Sequence, residues 1–206
     1  MRNKIYAIVE GQGEAKSPSS GGQPAIIVLI SKLLTELQYW NLFPAKSFRM
    51  SYGQFFRGDK FENAIRYHKL YGDCVAVLVL LDMDDDCPKE KAYELTTRIN
   101  QMEELPFSVA VVCAKREYET WFLASLETIH HEEVYEGDPE ARRDAKGWLR
   151  QYFGYKPTRH QASYTERLDI ASALNRTRSF RRLYHAFQEI IEAHQSRTTL
   201  VTPAPE

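Results

Sequence analysis

Cysteine is scarce in this chain. Cys74, Cys87 and Cys113 are odd in number and show neither C-x-x-C spacing nor histidines close in sequence, which argues against a disulfide framework and against structural zinc. Long apolar runs are also missing. The longest, Val75 to Leu81, has seven residues, far short of the roughly 20 that cross a bilayer. The amino terminus "MRNKIYAIVEGQ" carries no apolar h-region or cleavage site, so the expectation is a cytoplasmic protein without membrane contact. There is no internal repeat. The "EGQGE" turn resembles a phosphate-cradling loop, but the G-x-G-x-x-G fingerprint and the P-loop Lys-Ser/Thr are both lacking, which disfavours nucleotide binding of those two types.

What is present is an ordinary globular composition, with 43% apolar, 27% charged and 12% aromatic residues over 206 positions. That is enough for a substantial core and excludes wholesale disorder. A net charge of −1 hides an asymmetry. Acids gather between residues 82 and 104, whereas Arg142, Arg143, Lys146, Arg150, Lys156, Arg159, Arg167, Arg176, Arg178, Arg181 and Arg182 crowd the C-terminal third. An acidic site beside a basic surface suits a polyanionic ligand approached through metal ions; solvated helix faces are the equal alternative for the basic excess taken alone.

The hydrophobic pattern alternates between strands and helices. "KIYAIVEG" reads as a strand stopped by glycine, "AIIVLISKLLTELQYW" as a helix after a Gly/Ser-rich loop, and "AKSFRMSYG" as a second strand. "GDKFENAIRYHKLYG" reads as a helix, "CVAVLVLL" as a strand buried on both faces, "PKEKAYELTTRINQMEEL" as a helix opened by Pro88, and "FSVAVVCA" as a further strand. From residue 117 the pattern is helical: "EYETWFLASLETIHHEE", "DPEARRDAKGWLRQYFG", "YTERLDIASALN" and "SFRRLYHAFQEIIEAHQ", ending in a frayed "TTLVTPAPE". The expected fold is α/β, a Rossmann-like, mainly parallel sheet flanked by helices. An α/β domain over residues 1–130 would be followed by a helical C-terminal subdomain, 131–206, packed on it.

Ligands of such sheets bind at the carboxyl ends of the strands, and here each end carries acids. Glu10 and Glu14 follow the first strand, Asp82, Asp84, Asp85 and Asp86 follow "VAVLVLL", and Glu117 and Glu119 follow "VAVVCAKR". Crowded carboxylates repel unless solvated or neutralised by cations, and Mg²⁺ or Mn²⁺ takes oxygen ligands of this kind. Read alone, the Asp run is also compatible with a turn in which Asp85 or Asp86 caps the helix at Pro88. Lys115 or Arg116, just before the third acid pair, would neutralise charge developing on a phosphoryl group. Lys156 and Arg159, with Tyr152, Tyr155 and His160, suit a nucleic-acid groove or a solvated loop. Arg178, Arg181 and Arg182 extend the basic list. Trp121 reads as core, and His130 and His131, beside Glu132 and Glu133, face different sides of a helix and make no metal site.

An early strand ending in Glu10-Gly11, a second glutamate at Glu14, and a hydrophobic strand ending in Asp82-x-Asp84 resemble the TOPRIM domain of topoisomerases, primases and OLD-family nucleases. The stretches "REYETWFLAS" and "KGWLRQYFGYKPTRHQASYTERLDIASALNRTRSFRRL" resemble more narrowly a TOPRIM-like bacterial family designated domain of unknown function 4276, over nearly the whole chain. The resemblance implies a TOPRIM fold and Mg²⁺-dependent phosphodiester hydrolysis of DNA or RNA. Glu10 would serve as metal ligand or general base, Asp82 and Asp84 as metal ligands with Asp86 beside them, and Glu14, Glu117 and Glu119 would complete a second site. Two divalent ions roughly 3.5–4 Å apart suit in-line displacement at phosphorus. The resemblance also implies an anti-phage locus and a partner ATPase, with a homo-oligomer left open. The alternative is a noncatalytic TOPRIM-like module that binds a partner or ligand without cleaving it.

Overall fold

The computed structural model describes residues 3–18, 21–131 and 133–204, with all their side chains except those of Gln12 and Gly13. Ser19 and Ser20 of the Gly/Ser-rich loop, Glu132, and the last two residues of the tail lie outside the described residues.

Five strands form one all-parallel sheet in the order β2-β1-β3-β4-β5: β1 (Asn3–Val9), β2 (Leu42–Arg49), β3 (Cys74–Asp82), β4 (Ser108–Ala114) and β5 (Val201–Thr202). The helices are α1 (Gln12–Ala15), α2 (Ala25–Glu36), α3 (Tyr52–Phe56), α4 (Lys60–Tyr67), α5 (Pro88–Asn100), α6 (Thr120–Ala124), α7 (Leu126–Ile129), α8 (Ala145–Phe153), α9 (Pro157–Arg167), α10 (Ile170–Arg176) and α11 (Arg178–Ser196). Among the described residues no helix is long and apolar enough to cross a membrane.

The unbroken apolar run in β3 follows from its place. It lies between β1 and β4, with residues Ala76, Leu78 and Leu80 packed on one face and Val77, Val79 and Leu81 on the other. The first face carries α2 and α6 to α11 through side chains such as Ile30, Trp121, Phe180 and Phe187. The second carries α3 to α5 through Phe55, Phe61, Ile65 and Leu95. Helices beyond residue 131 therefore share one core with the sheet.

Several element boundaries differ from the sequence expectation. The second strand begins at Leu42 and includes Pro44, which an edge strand tolerates because one side of it has no ladder to donate to. β2 carries one extra residue just after that proline, where the register shifts from Ile5↔Pro44 to Ala7↔Ser47. The helix expected over residues 117–133 is two short helices broken at Ser125. The one expected over 164–175 is the end of α9 and the whole of α10, broken at Leu168 and Asp169, where Asp169 caps Ser172. The tail is not frayed at Val201 and Thr202, which pair with Val109 and Ala110.

β1 connects to β2 on one side of the sheet and then, by way of α3 and α4, to β3 on the other. The chain thus reverses direction across the sheet between β1 and β3, and crevices at such reversals are where open parallel sheets bind ligands.

Candidate functional site

Glu10 is the first residue past β1, held on the sheet by its N–H bond to the Leu80 carbonyl at 3.3 Å. Its carboxylate accepts the backbone N–H of Asp82, which spans the reversal. Gly11 and the single turn α1 then bring Glu14 back into the same space. A Cβ on Gly11 would sit 2.0 Å from Glu14 Oε2, so the glycine makes room for that carboxylate. Glu14 is only 5% exposed and accepts Gln161 Nε2 of α9 at 2.6 Å.

The aspartate run divides. Asp82 turns inward, accepting the Tyr118 N–H at 2.8 Å. Asp84, Asp85 and Asp86 are exposed. Asp84 lies in the left-handed region at φ 43°, as does Arg116 at φ 69°, and the two backbones lock together: Asp84 N–H donates to Arg116 O at 2.9 Å and Arg116 Nη1 donates to Asp84 O at 2.8 Å. Asp85 pairs with Arg116 and, at 2.9 Å, with Arg143, and Asp86 accepts the Tyr52 hydroxyl. Neither Asp85 nor Asp86 caps α5; its N-cap is Cys87, which makes no side-chain cap bond.

From the turn after β4, Glu117 accepts the Lys146 backbone N–H at 2.9 Å. Glu119 is fully buried and accepts the Tyr155 hydroxyl at 2.9 Å. Lys146, in the first turn of α8, extends its ammonium to 3.8 Å from Glu117 and 3.6 Å from Glu119. Asp144 sets that turn. It sits in the left-handed region at φ 53° and accepts the Gly147 N–H at 2.8 Å, and a Cβ on Gly147 would lie 2.0 Å from its carboxylate.

Burial makes these acids reluctant to ionise. Glu10 is pushed up to about 7 by desolvation, with Asp84 and Glu14 adding and the Asp82 N–H opposing. Glu119 is also raised to about 7 by desolvation, with Lys146 and Tyr155 opposing and Glu14 and Glu117 adding. Asp82 lies well above the usual carboxylate range through burial and the charges of Glu14 and Glu119, and Glu14 is raised by burial against the pull of Gln161. Burial acts to lower Lys146, but Glu119, Asp82, Glu117 and Glu14 outweigh it, and the ammonium stays charged. Two buried carboxylate oxygens, Glu10 Oε2 and Glu119 Oε2, have no hydrogen-bond partner.

Among the described residues no three Asp, Glu, His or Cys side chains form a ready-made metal-holding group. The donor set is all oxygen, is short of positive charge and has two oxygens without a hydrogen-bond partner, the chemistry a hard divalent cation requires. Glu10, Glu14, Asp82 and Glu119 are the residues that would hold one.

The remaining sequence candidates are placed elsewhere. Lys115 lines a cavity together with Arg178 and Arg182, and that lining holds none of these carboxylates. Arg181 donates to the Leu174 carbonyl at 2.7 Å and Arg182 pairs with Glu189 at 2.8 Å. Lys156 and Arg159 are exposed at the start of α9. Trp121 is core, its Nε1–H donating to Ser179 at 2.9 Å, and His130 stacks on Phe153 and shares a 2.5 Å hydrogen bond with Tyr164. Sequence reasoning did not single out Lys146, Tyr155 or Gln161 as partners of the acids. The one local signal was a cap: Asp144 with Gly147 marks a helix start that presents Lys146.

Together these features define a parallel α/β protein whose strand-end carboxylates gather around one lysine. The chain belongs to the family described as Domain of unknown function (DUF4276), whose model matches residues 9–188 and so takes in every carboxylate of the site and Lys146. Neither the curated proteins nor the solved structures include a match.

Proposed function

We propose that the chain is a TOPRIM-like nuclease that hydrolyses phosphodiester bonds of DNA or RNA with Mg²⁺ or Mn²⁺, in the cytoplasm. The observation that carries the reading is the gathering of Glu10, Glu14, Asp82 and Glu119 at the β1/β3 reversal, with two buried oxygens that lack a hydrogen-bond partner and with Lys146 as the main counter-charge, Arg49 adding to it at Glu14. A divalent ion bound there would polarise a phosphoryl oxygen and lower the pKa of water. Glu10, titrating near neutrality, suits proton abstraction from a water nucleophile. Lys146, which keeps its charge, offers an ammonium to a non-bridging phosphoryl oxygen. The anti-phage setting and the partner ATPase rest on the family resemblance alone.

The test is titration calorimetry of Mn²⁺ and Mg²⁺ into the wild type and Asp82→Ala/Asp84→Ala, followed by cleavage assays on single- and double-stranded DNA and RNA. Saturable binding lost in a folded double variant, with cleavage lost in parallel, is expected. A folded double variant that cleaves normally sinks the proposal.

One observation favours a second reading, a noncatalytic module: Lys146 already stands as an internal counter-ion, and among the described residues no closed metal-holding group is formed. Divalent binding no tighter than millimolar, with and without nucleic acid, selects that reading.

A further inference from the structure

A cavity of about 720 Å³ opens beside the Lys115–Arg116 turn, within the roughly 300–1,000 Å³ typical of small-molecule sites. Its origin lies in the sheet. Among the described residues β5 pairs with Val109 and Ala110 alone, so the edge of β4 is open beyond the Val111 N–H. Val109 N–H donates outward to the Leu200 carbonyl at 2.8 Å, and alternate residues of a strand turn their backbone groups the same way. The Ala110↔Thr202 pairing engages the Val111 N–H with the Thr202 carbonyl, so the Val111 C=O and the Cys113 N–H and C=O are the groups that face the open edge, and both residues line the cavity.

The remaining walls are of two kinds. Ala92 and Tyr93 of α5, with Pro88 and Pro203, give an apolar side. Lys115 and Arg116 from the turn, and Arg178 and Arg182 from α11, give a basic one. The acids in the lining are already engaged: Asp138 accepts the Glu140 N–H at 2.9 Å, and Glu140 accepts the Ser179 N–H at 2.7 Å. The cations are less fully used. Arg116 and Arg182 each pair with an acid yet keep a buried Nε without a partner. Among the described residues, Lys115 and Arg178 make no ion pair.

We propose that this cavity binds one nucleotide unit. Its phosphate would lie among Lys115, Arg178 and the cationic side chains of Arg116 and Arg182 that line the cavity, and its base against Tyr93 and the open backbone edge of β4. A simple anion needs no aromatic wall and no strand edge, and an apolar ligand needs no cluster of cations; a nucleotide uses all three. The unit comes either as a free nucleotide or as the end of a strand, and the chemistry recognised is the same. The proposal is independent of nuclease activity, because its test reads binding with no divalent ion present.

The experiment titrates adenosine 5′-monophosphate, inorganic phosphate, a 5′-phosphorylated tetranucleotide and a circular single strand into the full chain in EDTA. Saturable nucleotide binding, at least about tenfold tighter than phosphate, is expected. Arg178→Glu, an exposed site whose thermal melt reports folding, should weaken it at least about tenfold through loss of a charge-assisted contact. Tyr93→Ala should weaken the nucleotide while leaving phosphate binding alone, which keeps the assignment testable if Arg178→Glu misfolds. Equal affinity for the mononucleotide and the tetranucleotide identifies a free nucleotide. A tighter tetranucleotide that the circle does not displace identifies a strand end. Phosphate binding as tightly as the nucleotide, a circle competing as well as the linear strand, an unaffected folded Arg178→Glu variant, or no millimolar binding of either nucleotide probe overturns the proposal.

Discussion

Replacing Lys146 by methionine removes one charge and keeps most of the aliphatic stem, so it isolates what the ammonium does for the carboxylates. Its Nζ lies 3.6 Å from Glu119 and 3.8 Å from Glu117, and Asp82 and Glu14 also act on it. Removing one partner of a fully buried ion pair costs about 3–5 kcal/mol. The Lys146 side chain is 32% exposed, and solvent screening brings the expected loss down to about 2 kcal/mol. For a chain of this size that corresponds to about 4–8 °C in melting temperature. The pH dependence distinguishes electrostatics from packing. Glu10 and Glu119 rise from 4.5 to about 7 on folding, so the folded chain binds protons that the unfolded chain has released. The contribution of these two acids to stability therefore falls as pH rises from 4.5 to about 7 and then levels. Without Lys146 the acids rise further, the fall steepens, and it continues above that window. Thermal melts in EDTA should show the variant close to wild type at about pH 5, where the acids hold their protons, and lower by the full amount at about pH 8. A loss that is the same at both pH values would assign Lys146 to packing and refute the electrostatic account.

Gly11→Ala places a methyl group 2.0 Å from Glu14 Oε2 and should displace that carboxylate from Gln161 at a cost of about 1–3 kcal/mol; an unchanged urea midpoint would contradict the close approach. Tyr155→Phe removes the hydroxyl that donates to Glu119 at 2.9 Å and should cost about 1.5–3 kcal/mol at neutral pH. That bond holds the Glu119 pKa down, so the stability profile should also move to higher pH, and a profile that stays in place would separate Glu119 from the titration. Millimolar Mn²⁺ should raise the melting temperature at about pH 8 and have little effect at about pH 5, because protons compete for the same oxygens; equal stabilisation at both would locate the ion elsewhere.

The centre of the sheet was legible because β1, β3 and β4 are buried on both faces. Such strands read as unbroken apolar runs, and β1, β3 and β4 stand within a residue or two of the runs that announced them. The helices α2, α5 and α11 were equally plain from their apolar stripes. Residues 118–126 are buried without interruption, which leaves no polar face to show a period and no sign of the break at Ser125. β5 has two residues, too few for any pattern; it exists because the edge of β4 holds it.

The site divides along the same physical line. The carboxylates were visible because Glu10 and Asp82 follow directly on the apolar runs that fix them and Glu14, Glu117 and Glu119 lie within five residues of such a run. Their partners come from α8, α9 and the turn between them, brought over the strand ends by tertiary packing, and beyond the Asp144 cap nothing local separated Lys146 from the other basic residues of the C-terminal third. The structure does separate them. Arg167 donates to the Ile129 carbonyl at 2.7 Å, Arg176 reaches the carbonyls of Tyr135 and Gly137, and Arg181 reaches Leu174 at 2.7 Å. Those guanidinium groups tie loops and helix ends to the body, where a fixed fork of donors satisfies carbonyls that helices leave open. Much of the basic excess is therefore structural, and its count overstates the surface available to a polyanion. Lys156, Arg159 and Arg178 remain exposed, and it is the salt dependence of nucleic-acid binding in variants of these three, rather than of the arginines bound to carbonyls, that measures how much of the excess faces a ligand.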